Sequence, residues 1–152
     1  MYRMRKWSVR HASALSRIYG WLESLLVRLD PLWRAIGHEQ LEKPFAAVER
    51  TVKGFLFDCQ MCGDCVLSST GMSCPMNCPK HLRNGPCGGV REDGNCEVIP
   101  AMKCVWVAAY EGSQNIPGGV QAMRVIQFAV DRRLSGTSSW LRVVRDKTGA
   151  GA

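Results

Sequence analysis

The chain has 152 residues and a formal net charge of +7, and its eight cysteines outnumber its three histidines. That length suits one domain with a modest core, or a small cross-linked module flanked by helices. The basic residues are scattered and no zinc-finger histidine pair is present, which argues against a nucleic-acid module, and no apolar run is long enough to cross a membrane.

Residues 1–10 carry Arg3, Arg5, Lys6 and Arg10 and read as a frayed basic end rather than an interaction arm. From Ser13 to Leu29 the apolar positions Leu15, Ile18, Leu22, Leu25 and Leu29, joined by Tyr19 and Leu26, recur at helical spacing. This predicts an amphipathic helix that Asp30-Pro31 ends. Its stripe is expected to pack on another helix of the chain or on a partner, with membrane-surface attachment or a targeting role as the lesser reading. After a link containing Gly37, Leu41, Phe45, Val48, Val52, Phe55 and Leu56 predict a second helix from about Glu39 to Phe57. Pro44 fits best in a first turn, so the helix is expected to begin near Lys43. Glu49 and Lys53 stand four apart and are expected to pair on the exposed face, worth a few tenths of a kcal/mol.

All eight cysteines then fall between Cys59 and Cys104, spaced Cys-x2-Cys-x2-Cys-x8-Cys-x3-Cys-x8-Cys-x8-Cys-x7-Cys. A segment with so few large apolar side chains needs cross-links to offset its chain entropy. Disulfides belong to oxidising compartments, yet the longest strongly apolar run near the start is Leu25, Leu26, Val27, too short for a signal peptide core. The thiols are therefore expected to be reduced, cytoplasmic and free to bind metal. Zinc sites favour separated Cys-x2-Cys pairs, often with histidine, whereas the triple Cys59, Cys62, Cys65 suits three corners of a cubane cluster. Cys74-Pro75 and Cys78-Pro79 repeat the cysteine-proline step of bacterial ferredoxins, and Pro86 precedes Cys87. Gly63, Gly85, Gly88 and Gly89 are expected to let the backbone approach sulfide.

Eight thiolates make two four-cysteine sites, which predicts two 4Fe-4S clusters, with one cluster plus zinc, or zinc only, as the alternative. Which cysteines share a site stays open: an exchange between the triple and a later cysteine-proline position, or a split in chain order. Two clusters at about −2 each would bring the chain from +7 to roughly +3, so the basic excess partly compensates the metal. His81, between Lys80 and Arg83, reads as a solvated loop residue rather than a ligand. Phe55, Leu56 and Phe57 are expected to wall the first cluster from water.

Val90 to Val98 predicts a tight hairpin about Asp93-Gly94-Asn95, which would carry Cys87 and Cys96 to the same or neighbouring metals. A short helix from Ala101 to Tyr110 carries Cys104 and Trp106, with Trp106 read as cover for a cluster rather than an electron relay. Gly112 to Gly119 reads as a loop and Val120 to Leu134 as a helix with Arg132 and Arg133 in its last turn. Ser135 to Ser139 is a linker, Trp140 a latch onto the fold or a subunit contact, and Lys147 to Ala152 a disordered tail. The expected fold is an α-rich small protein with an irregular, metal-stabilised cysteine-rich module of short hairpin and loops, flanked by amphipathic helices. Its domains are a helical region at 1–56, the metal-binding module at 57–111, and a helix and tail at 112–152.

The run from Gly54 to Ala108, above all CQMCGDCVLSSTGMSCPMNCPK, LRNGPCGGV and CEV followed by CVWV, closely resembles the methylenetetrahydrofolate reductase C-terminal domain. It also resembles the cysteine-rich part of the small partner subunit of the acetogen-type enzyme. The resemblance implies an accessory subunit that holds iron-sulfur clusters, sometimes with zinc, and passes electrons toward the flavin of a methylenetetrahydrofolate reductase catalytic subunit or another one-carbon enzyme. Its ligands would be Cys59, Cys62, Cys65, Cys74, Cys78, Cys87, Cys96 and Cys104. A chain of this length has no room for the TIM barrel that binds flavin and folate in the reductase. No Ser-His-Asp arrangement or carboxylate pair stands out, so the expected role is a non-catalytic one, with a zinc-stapled structural adaptor as the alternative.

Overall fold

A computed structural model of the chain describes residues 2–149. Seven helices form among the described residues: α1 (Tyr2–Arg10), α2 (Ala12–Arg28), α3 (Asp30–Ile36), α4 (His38–Phe57), α5 (Val105–Gln114), α6 (Gly119–Arg124) and α7 (Ser139–Thr148). No sheet forms among the described residues. Between α4 and α5 the cysteine-rich stretch is irregular, with a 3-10 turn at Pro75–Asn77 and two isolated antiparallel bridges, Val90 to Cys96 and Asn95 to Lys103. The expected hairpin thus reduces to one bridge closed by the Arg91 N–H donating to the Asn95 carbonyl at 2.9 Å. Among the described residues no helix is long and apolar enough to cross a membrane.

The basic start is not frayed: α1 packs on α4 and α5. Its Ser8 hydroxyl donates to the Leu56 carbonyl at 2.7 Å, Val9 is buried, and the Tyr2 hydroxyl accepts from the Lys103 N–H at 2.7 Å. Asp30-Pro31 does end α2, but the same dipeptide opens α3, because proline lacks only an N–H that a first turn leaves free. The expected link up to Gly37 is therefore largely helical. Trp33 ties α3 back by donating its indole N–H to the Leu26 carbonyl at 2.9 Å.

Pro44 lies inside α4, which begins at His38 rather than near Lys43. Gln40, whose carbonyl loses its helical donor, and Pro44 are both exposed, so the break in the ladder falls on the solvent side of the helix. The face that α4 buries also departs from expectation. Ala46, Glu49, Lys53 and Phe57 are buried, whereas Val48, Val52 and Phe55 are exposed. Glu49 and Lys53 are not a surface pair at all.

Cys104 caps α5, which starts at Val105 rather than Ala101 and runs to Gln114, three residues into the stretch expected as loop; residues 115–118 do form that loop. Gly112 permits this: a Cβ there would strike the Gly71 carbonyl. The helix expected over Val120 to Leu134 ends at Arg124, where Val125 turns extended at ψ 122°. Two β-branched residues follow one another there, Val125 and Ile126. The Asn84 amide then holds Gln127 as a strand neighbour would, accepting from its N–H at 2.8 Å and donating to its carbonyl at 3.0 Å. Arg132 and Arg133 consequently sit in a separate 3-10 turn capped by Asp131, not at the end of a long helix.

Residues 139–148 form α7, capped by Ser138, whose hydroxyl accepts from the Leu141 N–H. Leu141 and Val144 are fully buried and α7 packs on α2 and α4, so the Trp140 segment is a latch. Lys147 and Thr148, expected in a loose tail, belong to this helix, and Lys147 pairs with Glu23. Residues 150–152 of that expected tail lie outside the described residues.

Candidate metal centre

The chain leaves α4 through Asp58 in a left-handed conformation at φ 55°. The Asp58 N–H donates to Gly54 and the Cys59 N–H to Lys53, at 3.0 and 3.3 Å, a helix-end pattern that aims Cys59 back beneath α4. Met61 and Gly63 also take positive φ, folding the triple into a tight loop. The Met61 N–H donates to the Cys59 sulfur at 3.4 Å, and the Cys62 thiol donates to the Asp64 carbonyl at 3.3 Å. Cys74 precedes the 3-10 turn, and Asn77 ties that turn to α4 by donating to the Phe57 carbonyl at 2.8 Å.

These paths bring Cys59, Cys62, Cys65 and Cys74 around one small cavity, together with Lys53 and Arg83. The other four cysteines fall in two neighbouring groups. Cys78 and Cys96 share a buried cluster with Met102 and Val105, while Cys104 and Cys87 pack with Trp106. The two bridges link these groups: Val90 pairs with Cys96, and Asn95 with Lys103, next to Cys104. All eight are free thiols, and among the described residues no three Cys, His, Asp or Glu side chains converge as one chelated ion requires.

The donor set and its charges suit an anionic centre. Arg83 is buried and its Nη2 donates to Asp64 Oδ2 at 2.6 Å, but its Nε and Nη1 have no acceptor. A buried donor without a partner costs about 1–3 kcal/mol, more when charged, so a group rich in acceptors belongs beside Arg83. Lys53 lines the same cavity, donating to Glu49 at 2.7 Å and to the Ser139 hydroxyl at 2.8 Å. Burial works to strip its proton, but Cys65, Tyr19 and Glu49 together raise its pKa above the ordinary value, and the ammonium stays charged. Burial pushes the Cys59 thiol up to about 11 and Cys74 up to about 12, opposed by the Met61 and Met76 amides that donate to their sulfurs. Any metal taken up here must displace those protons.

Several expected roles change place. Phe57 is buried with Cys74, Leu56 is partly so, but Phe55 is 63% exposed and walls nothing. Gly63 lines the four-cysteine cavity, and a Cβ there would strike Leu134 and Thr137; at Gly85 a Cβ would strike the Trp106 ring, at Gly89 the Glu97 side chain, and Gly88 has open space. The segment expected as linker braces the first loop, with the Gly136 N–H donating to the Met61 carbonyl at 2.8 Å. Trp106 is buried between Cys104 and Cys87, and its indole nitrogen is another buried donor without an acceptor. His81 is exposed, as its loop setting implies. Arg83 and the buried Lys53 were invisible to spacing, because each looks in sequence like a solvated cation.

No curated protein and no solved structure matches this chain. The family described as methylene-tetrahydrofolate reductase C terminal matches residues 38–131, more than half of the chain. The match takes in all of α4, both cysteine groups, α5, α6 and the extended segment after it, a wider span than the cysteine-rich run alone. The chain therefore belongs to the methylene-tetrahydrofolate reductase C-terminal family.

Proposed function

We propose that the chain is an iron-sulfur accessory subunit that relays electrons to or from the flavin of a methylenetetrahydrofolate reductase, or of a related one-carbon enzyme. The observation that carries this reading is the cavity of Cys59, Cys62, Cys65 and Cys74, faced by the unpartnered nitrogens of Arg83 and by Lys53. In this reading those four cysteines hold one 4Fe-4S cluster, and Cys78, Cys87, Cys96 and Cys104 hold the second. Bound clusters would supply one-electron transfer at a potential set by charge, hydrogen bonds and exposure. Lys53 and Arg83 offset thiolate charge, the Met61 and Met76 amides donate to sulfur, and Phe57 and Leu67 keep water from the first site. Trp106 does the same for the second.

The alternative, a zinc-stapled adaptor, needs four sulfurs at about 2.3 Å from one ion; the Cys59, Cys62, Cys65 triple and the single histidine of the cysteine-rich segment, His81, favour the cluster reading. The exposed Val48, Val52 and Phe55 on α4 supply an apolar face for the catalytic partner, on the helix that delivers Cys59. Full-length protein purified without oxygen is expected to absorb broadly near about 400 nm and to give cluster signals by electron paramagnetic resonance after reduction. Colourless protein with stoichiometric zinc would reject the relay and restore the adaptor.

A further inference from the structure

A second cavity, of about 390 Å³, lies under α1 and borders the first through a single side chain. Small-molecule sites typically enclose about 300–1,000 Å³, with an apolar body and a few convergent polar groups. Here the apolar part includes Phe57 and Met72, and the charged part is Arg5, Lys6, Arg10 and Lys103 with one carboxylate, Glu111. Arg5 has Asp58 at 3.9 Å and Lys103 has Glu111 at 2.5 Å. Lys6 and Arg10 have no carboxylate within 4.0 Å among the described residues, and α1 contains no acid. They stand four apart on one helix face, where like charges repel; Lys6 lies over the Tyr2 ring at 4.5 Å, and the fold keeps two cations without a carboxylate partner at the mouth of the recess. Cys74 lines both cavities and forms the partition between them.

We propose that this recess binds an organic anion, its apolar body against Phe57 and Met72 and its phosphate or carboxylate between Lys6 and Arg10. Binding requires no metal, so a failed titration leaves the iron-sulfur reading standing, and zinc-only protein leaves this site standing. The test is calorimetric titration of the full chain, at low salt, with phenyl phosphate, benzoate, inorganic phosphate and phenol. One equivalent of phenyl phosphate or benzoate is expected to bind, the tighter of the two identifying the acid group preferred, and both more tightly than inorganic phosphate or phenol. Lys6→Gln with Arg10→Gln should weaken that binding by at least about tenfold with the circular dichroism spectrum unchanged. Ala108→Trp, which fills the recess from α5, should abolish it while leaving both cations in place. Absence of binding at about 10 mM, equal affinity in the double variant, or inorganic phosphate binding as tightly as phenyl phosphate would each overturn the proposal.

Discussion

Replacing Lys53 by methionine tests how the cavity is held. Lys53 and Glu49 are 1% and 2% exposed, and the pair is clasped by α7: Ser138 and Ser139 donate their hydroxyls to Glu49, and Trp140 its N–H. The Lys53 stem runs between the Tyr19 and Trp140 rings, with its ammonium 5.3 and 5.2 Å from their centroids. Methionine keeps the stem and removes the charge, leaving Glu49 buried as an anion with three remaining donors. Breaking a buried pair from one side costs about 3–5 kcal/mol, and those donors place the expected loss near the lower end, about 3 kcal/mol. For a chain of this size that lowers the melting temperature by about 6–12 °C. Glu49→Gln together with Lys53→Met removes both charges, keeps an acceptor for the serines, and should recover all but about 1 kcal/mol. The assay is urea unfolding followed by circular dichroism, with the same metal loading in all variants. A single variant within about 1 kcal/mol of wild type, or a double variant as unstable as the single, refutes the buried clasp.

Cys62→Ser with Cys65→Ser should remove about half of the bound iron, and Cys87→Ser with Cys96→Ser the other half; loss of both spectral species from either pair would show ligands exchanged between the two groups. In the metal-free chain the Cys74 thiol rises from its ordinary 9 to about 12 and Cys59 to about 11. Above pH 9 the unfolded state therefore sheds protons that the native state keeps. The urea midpoint should be highest below pH 9 and fall by pH 10.5, and a midpoint that is flat or rising would contradict it. The raised pKa values of Tyr19 and Lys53 act in the same direction. Arg83→Gln should lower the potential of the first centre by about 60 mV, the equivalent of a tenfold change in a one-electron equilibrium; a redox titration showing no fall would remove Arg83 from the site's electrostatics. Leu141→Ala, at a fully buried position in α7, should cost about 2–5 kcal/mol by the same urea assay, and a loss under about 1 kcal/mol would deny the latch.

Helices with a continuous period were readable: α2 and α4 lie within a few residues of the expected bounds. The face that α4 buries was not, because Glu49 and Lys53 satisfy each other and the α7 serines across a contact nearly ninety residues away in sequence. Apolar periodicity then pointed to Val48, Val52 and Phe55, which stand in solvent. The end of α6 was equally hidden, since the Asn84 amide that holds Gln127 extended comes from the cysteine-rich segment. In the candidate site, spacing supplied the cysteines and the resemblance supplied the family. The cations around them required tertiary structure: nothing in the order of Lys80, His81 and Arg83 distinguishes the buried guanidinium from its exposed neighbours.

Eight thiols are proposed to hold inorganic clusters, so the most direct measurement is iron, acid-labile sulfide and zinc in full-length protein prepared without oxygen. About eight iron and eight sulfide per chain, with no zinc, is the predicted result. One or two zinc ions per chain without sulfide would contradict it.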